Sequence, residues 1–354
     1  MKQRIEALTA TRAIAALLVV VFHYGCTVFP FNLQEHFFRQ GNLAVGYFFV
    51  LSGFVMYLSY ANKGVVYGDF IKRRVARIWP LYVFAILLSA GYPLFQYFVR
   101  SGSLPDRFGT ALILNLSLLQ AHIPGFALTV NSPGWSLSVE MFFYLLFPLL
   151  LPLCKSKPGK FFALSIVVYI ISQVFHLWIV NTNKPEWGTK LHELVYYQPF
   201  FHLNQFMLGM CGAMYFKQLK VRLAGLVSIL FLALIIVLIN YMPGSVSLHN
   251  GLLAPLFLLL IVSIASLNRT PLLFPPLVFL GEISYGIYIL QEPVHFYFMK
   301  WNMSSGHLSE TVSFYSYLVL LITLSAICYY LIELPFRRII SGKQPQMPAD
   351  TYSL

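Results

Sequence analysis

The stretch RAIAALLVVVFH, Arg12 to His23, decides the fold class, because ten apolar residues separate a guanidinium from an imidazole. An apolar run of this kind reads as part of a membrane-spanning helix, where neither end group is at ease. The two are eleven residues apart. At 100° per residue that is three turns plus about 20°, with a rise of about 16 Å, so both project from nearly one helix face. The spacing therefore puts a cation at the mouth of the first span and a proton acceptor at about mid-depth. Intramembrane ionisable groups usually face a bundle interior or a wet cavity.

The rest of the chain agrees with a membrane fold. Of 354 residues, 58% are hydrophobic and 10% charged, and the mean hydropathy is +0.71. A soluble domain carries about 25% charged residues, which excludes an ordinary water-soluble fold. The net charge of +12 does not point to nucleic acid, since the basic residues fall between apolar runs. Cys26, Cys154, Cys211 and Cys328 are scattered without metal-ligand spacing or a disulfide pattern, so no metal site is expected. Residues 1–25 lack a small-residue cleavage site and read as a retained span rather than a signal peptide.

Spans are expected near 12–31, 43–62, 77–99, 136–154, 161–181, 196–216, 222–241, 251–267, 276–299 and 312–333. The fold class is thus an all-α polytopic bundle of about ten transmembrane helices, with breaks plausible beside Pro80, Pro148 and Pro293. The stretch 108–122 is expected to be re-entrant or interfacial. Counting it as a span would flip every later basic cluster to the other side. With ten spans, the clusters at Lys2/Arg4, Lys63 to Arg77, Lys155 to Lys160, Lys217 to Arg222, Arg269 and Arg337 to Lys343 share a side. That side is cytoplasmic by the positive-inside rule, so both termini are expected in the cytoplasm. One domain, 1–340, and a short tail, 341–354, account for the chain.

Three further stretches carry candidate chemistry. In DFIKRRVARIWPLY, Asp69 to Tyr82, Arg74 and Arg77 share a face where the third span begins. Guanidinium groups suit bidentate phosphate binding, although positive-inside signalling and lipid headgroup contact explain the cluster too. In NSPGWSLSVEMFFYLLFPLL, Asn131 to Leu150, Glu140 interrupts an otherwise uncharged run. It could orient a histidine or sit in interfacial water, with Trp135 as an interface anchor. In GEISYGIYILQEPV, Gly281 to Val294, the polar residues Glu282, Tyr285, Tyr288, Gln291 and Glu292 read chiefly as interhelical hydrogen-bond partners.

Taken in order, these motifs resemble the acyltransferase-3 family of integral membrane acyltransferases. The resemblance rests on RAIAALLVVVFH, FFVLSGF (Phe48 to Phe54), FIKRRVARIWPLY, GWSLSVEMFFY (Gly134 to Tyr144), ISYGIYILQEPV and ELPFRR (Glu333 to Arg338), and covers nearly the whole chain. It implies transfer of an acyl group, usually acetyl, from cytoplasmic acyl-CoA to a hydroxyl of an extracytoplasmic carbohydrate or lipid-linked glycan. The family's site residues match Arg12, His23, Arg74, Arg77 and Glu140. Two positions depart from the family pattern: Gly46, where many members are acidic, and Gln291, where many carry histidine. An extracytoplasmic hydrolase-like domain, which some relatives carry after the last span, is not expected here.

The expected mechanism follows from both readings. Acyl-CoA, a co-substrate rather than a resident cofactor, docks its phosphoadenosine end on Arg74, Arg77 and Arg73, and its arm runs past Arg12. His23 is the general base for the acceptor hydroxyl and Glu140 orients it; a covalent acyl-histidine is the other route. The expected partners are acyl-CoA, a glycan acceptor and membrane lipid, in the inner (plasma) membrane. A transporter or flippase of an anionic or glycolipid substrate is the competing class, since it too needs intramembrane charges.

Overall fold

The computed structural model of the chain describes residues 2–100, 102–216, 218, 221, 223–242, 247–267 and 270–341. The basic residues Lys217, Lys220, Arg222, Arg269 and Lys343, and the tail from 342 onward, lie outside the described residues. Among the described residues there is no strand. Hydrocarbon offers no partner to a peptide group, so a spanning backbone must bond within itself.

The first helix, α1 (Lys2–Tyr24), leads through the short α2 (Glu35–Phe38) to α3 (Ala44–Tyr60) and α4 (Tyr67–Arg100). Next come α5 (Phe108–Leu116), α6 (Trp135–Ser156), α7 (Pro158–Asn183), α8 (Lys190–Tyr197) and α9 (Pro199–Tyr215). They are followed by α10 (Ala224–Tyr241), α11 (Ala254–Ala265), α12 (Pro275–Glu282) and α13 (Ser284–Trp301). The last, α14 (Glu310–Cys328), passes through a π-helical turn, Tyr329–Glu333, into α15 (Leu334–Ser341).

Each of the ten expected spans holds a helix, and the chain is an all-α polytopic membrane protein. Among the described residues, seven helical runs are long and apolar enough to cross a bilayer: Glu6–Tyr24, Gly41–Tyr60, Tyr67–Arg100, Ser132–Ser156, Pro158–Asn183, Ala224–Tyr241 and Glu310–Ile340. The other three expected spans hold shorter pieces. The 17 residues of α9 and the 12 of α11 are one helix each, while α12 and α13 are separated at Ile283. The stretch 108–122 does not cross: α5 has nine residues, about 13 Å of helix against a core of about 30 Å. It is tied to α4 and α6 by buried polar side chains, with Gln120 donating to the Tyr82 hydroxyl at 2.9 Å and to Gly134 O at 2.8 Å.

Two expectations are corrected. Helices α4, α6 and α13 run unbroken through Pro80, Pro148 and Pro293; the breaks fall instead at Ile283 and in the π-helical turn. The first span was expected to reach residue 31, but α1 ends at Tyr24. Just beyond it, a Cβ on Gly25 would lie 2.6 Å from the Phe314 ring, so only glycine lets the chain turn there against α14. Because α1 begins at Lys2 and ends at Tyr24, Arg12 sits in its body and His23 in its last turn.

The same device sets the closest helix crossing. A Cβ on Gly53 would lie 2.0 Å from Phe206 O, and one on Gly209 would lie 2.0 Å from Val50 O. Backbones of α3 and α9 therefore touch directly, the small-residue packing that holds membrane helices together. Helix α1 packs against α3, α11, α12 and α13, which puts its polar positions among neighbours that carry polar residues of their own.

Candidate active site

At one end of the bundle, arginines from three helices converge on carboxylates. Arg74 of α4 donates to the Tyr60 hydroxyl at 3.0 Å. Its guanidinium carbon lies 5.7, 5.4 and 5.6 Å from the ring centroids of Tyr60, Phe70 and Tyr144, a cation–π cage. Arg77, one turn on, acts electrostatically with Arg74 on Tyr144. It also acts with Arg337 and Arg12 on Glu333. Arg12 reaches Glu282 and Tyr47 as well. The Nε atoms of Arg73 and Arg74 are buried with no hydrogen-bond partner among the described residues.

Glu333 is the hub of this end. It is 1% exposed, and Arg337 donates to one of its oxygens at 2.8 Å, while its other oxygen is unbonded. The π-helical turn sets its side chain among Arg12, Arg77 and Arg337. Sequence reading had ELPFRR only as a motif and missed this role. Glutamate followed four residues later by arginine was the available signal, an i,i+4 ion pair on a helix.

At the other end, His23 is exposed, and neither of its ring nitrogens has a hydrogen-bond partner among the described residues. Its ring contacts are with Phe22 at 4.7 Å and Tyr24 at 5.6 Å between centroids. Tyr24 stacks on His295 of α13, with centroids 3.9 Å apart and planes at 20°. Both rings abut Tyr317 of α14, at 5.4 and 5.1 Å. Nearby, Glu292 accepts from Ser132 N at 2.5 Å, and Asn131 donates to Ile289 O at 3.0 Å, fixing the loop before α6 to α13. His295 was missed from sequence, since a histidine in an apolar helix is ordinary until a second imidazole is seen beside it.

The structure thus joins Arg12, Arg74 and Arg77, and sets Arg73 beside them in the chain. It does not join Glu140 to His23. Glu140 accepts from the hydroxyl of Tyr144 and, at 3.5 Å, from Ser52, and no hydrogen bond among the described residues links it to the imidazole. It belongs with the arginines, because four residues of α6 bring the Tyr144 hydroxyl back onto it and Tyr144 is the ring over which Arg74 lies. Trp135 is not an interface anchor either: it is buried against Phe49, Tyr197 and His202. Tyr285 and Tyr288 are interhelical partners as expected, donating to Ile78 O at 2.6 Å and to Pro133 O at 3.2 Å. Gln291 is wholly buried and donates to Tyr288 O at 2.7 Å.

A family model described as an acyltransferase domain matches residues 5–331. The chain belongs to this acyltransferase family. It is 30% identical over 323 residues to the acyltransferase MdmB of Streptomyces mycarofaciens, covering 84% of this chain and 80% of that one. It is 26% identical over 286 residues to a putative acetyltransferase, ORF330, of Acidianus two-tailed virus, covering 78% of this chain and 79% of that one. It is also 24% identical over 369 aligned positions to the O-acetyltransferase OatA of Staphylococcus aureus. That match takes in 94% of this chain but 57% of OatA. No solved structure matches. The acyltransferase is therefore a membrane-embedded enzyme with two polar ends, one rich in arginine and one built of imidazole and aromatic rings.

Proposed function

We propose that this acyltransferase moves an acyl group, acetyl, from acyl-CoA at the arginine end to a carbohydrate hydroxyl at the histidine end. The observation that carries the reading lies in α1. It holds Arg12 among the arginines and, about 16 Å along nearly the same face, the unpartnered imidazole of His23. Arg73, Arg74, Arg77 and Arg12 bind the phosphates and the start of the pantetheine arm. Charge-assisted guanidinium bonds suit that ligand. His23 takes the proton of the acceptor hydroxyl as its oxygen attacks the thioester carbonyl. The carbon–sulfur bond then breaks and the proton goes to the departing thiolate, giving an ester and free CoA.

Glu140 has a different part here from the one its sequence context suggested. Held by Tyr144 beside Arg74, it positions the donor site rather than the base. The basic clusters on the N-terminal side support a plasma-membrane protein with cytoplasmic termini, so that the arginine end meets cytoplasmic acyl-CoA. The acceptor then arrives from the opposite face as an extracytoplasmic or lipid-linked glycan, with membrane lipid around both.

The test is turnover of acetyl-CoA by the purified protein in liposomes supplied with a glycan extract of the source cell. Ester-linked acetyl on glycan, lost in His23→Ala, is the expected result. Transfer that persists in the variant removes His23 as the base.

A further inference from the structure

We propose that His295 is a second acceptor-binding imidazole, which with His23 and the Tyr24 ring between them grips a ring bearing neighbouring hydroxyls, a sugar. The proposal rests on the transfer reading above and names what that end of the site selects.

The stacking on Tyr24 uses the face of the His295 ring, whereas its two nitrogens bond in the ring plane. Neither nitrogen has a hydrogen-bond partner among the described residues, although the side chain is half-buried between α1, α13 and α14. A phenyl group would fill the same space against Tyr24 and Tyr317, so the two open ring nitrogens are what packing alone does not explain. The carboxylate nearest in sequence, Glu292, is bonded to Ser132 N and has no hydrogen bond to His295.

A neutral imidazole offers one donor and one acceptor. That pair matches an alcohol, which also donates and accepts, better than it matches an anion. The Tyr24 ring lies 5.6 Å from that of His23 and 3.9 Å from that of His295, so the two imidazoles flank one residue and can address one ligand. Adjacent hydroxyls on a sugar ring present two such alcohols side by side, one to be acylated at His23 and one to be held at His295. Tyr24, half-buried at this end, supplies the aromatic surface against which a sugar ring packs, and the buried Tyr317 backs it. Position 291, one turn earlier on nearly the same face of α13, is closed inward by the bond of Gln291 to Tyr288.

The experiment uses the full chain in sealed liposomes, with diethyl pyrocarbonate as an imidazole reagent and the source-cell glycan extract as ligand. Modification at each histidine is read by mass spectrometry. Glycan is expected to protect His23 and His295 together, while the exposed His36 and His307 react alike with and without it. His295→Ala is expected to raise the KM for glycan about tenfold, the loss of one hydrogen bond, and to leave the KM for acetyl-CoA unchanged. His295→Gln, which still donates and accepts, is expected to recover much of that loss, and it carries the test if the alanine variant fails to bind acetyl-CoA. Protection of His23 alone, or an unchanged glycan KM, overturns the proposal and leaves the transfer reading standing. Protection of neither imidazole overturns the transfer reading at this end, and the proposal with it.

Discussion

At the arginine end, Arg12, Arg74, Arg77 and Arg337 lie within the field of Glu140, Glu282 or Glu333. At the histidine end, His23, Tyr24 and His295 form a run of rings whose imidazole nitrogens have no hydrogen-bond partner among the described residues. The first arrangement is expensive to build in a membrane and stable only because the charges offset one another. The second costs little charge desolvation and leaves its imidazole nitrogens open. A charged donor and a neutral alcohol acceptor call for those two environments. On the proposed reading, donor recognition and proton transfer are separate jobs on one helix, α1.

The separation predicts that the largest single effect falls at the histidine end and spares donor binding. His23→Ala is expected to lower acetyl transfer by about 10²- to 10⁴-fold, the usual worth of a general base, with acetyl-CoA affinity by calorimetry unchanged. A variant that loses donor affinity as well would show that the two ends are one site. At the other end, Arg77→Ala is expected to raise the KM for acetyl-CoA by about 10- to 100-fold, as one or two charge-assisted bonds are lost, with the glycan KM unmoved. Arg74→Ala is expected to raise the same KM, and also to open the ring cage of Tyr60, Phe70 and Tyr144.

Much of this was legible in the sequence. Local pattern suffices for the ten apolar stretches, for 108–122 as a segment that does not cross, and for the shared face of Arg74 and Arg77, because hydropathy and helical spacing are local properties. What escaped depends on residues far apart in the chain. Helix α1 begins at Lys2, which puts Arg12 in its body, and ends at Tyr24, where Gly25 passes close against Phe314, which puts His23 in its last turn. Trp135 looked like an anchor beside an apolar run until α9 brought His202 against it. His295 is one imidazole in an apolar helix, and only the packing of α1 on α13 gives it a partner.

The counter-charge is the next way to sharpen the contrast. Glu333→Gln keeps a hydrogen bond to Arg337 but removes the negative charge that Arg12, Arg77 and Arg337 share. The unfolding free energy in detergent is expected to fall by about 1–3 kcal/mol, discounted because Arg337 is partly exposed and can turn to water. A thermal midpoint equal to that of the wild type would mean the acids are not what makes the arginine cluster tolerable. The corresponding change at the histidine end, His295→Gln, is expected to leave the midpoint where it is, since no charge is removed there.

The smallest expected effect is the most discriminating between the two ends. Tyr144→Phe deletes the hydroxyl that holds Glu140 while keeping the ring over which Arg74 lies. One hydrogen bond to a carboxylate in a half-buried setting is worth about 1 kcal/mol, or about fivefold. Because Glu140 stands with the arginines, that loss is expected in the KM for acetyl-CoA, with kcat and the glycan KM unchanged. Were the loss to fall in kcat instead, Glu140 would be acting on His23 through substrate or water, and the boundary between the ends would run elsewhere. Measuring both KM values on this one variant therefore locates the carboxylate by its effect, independently of how close it lies to either group.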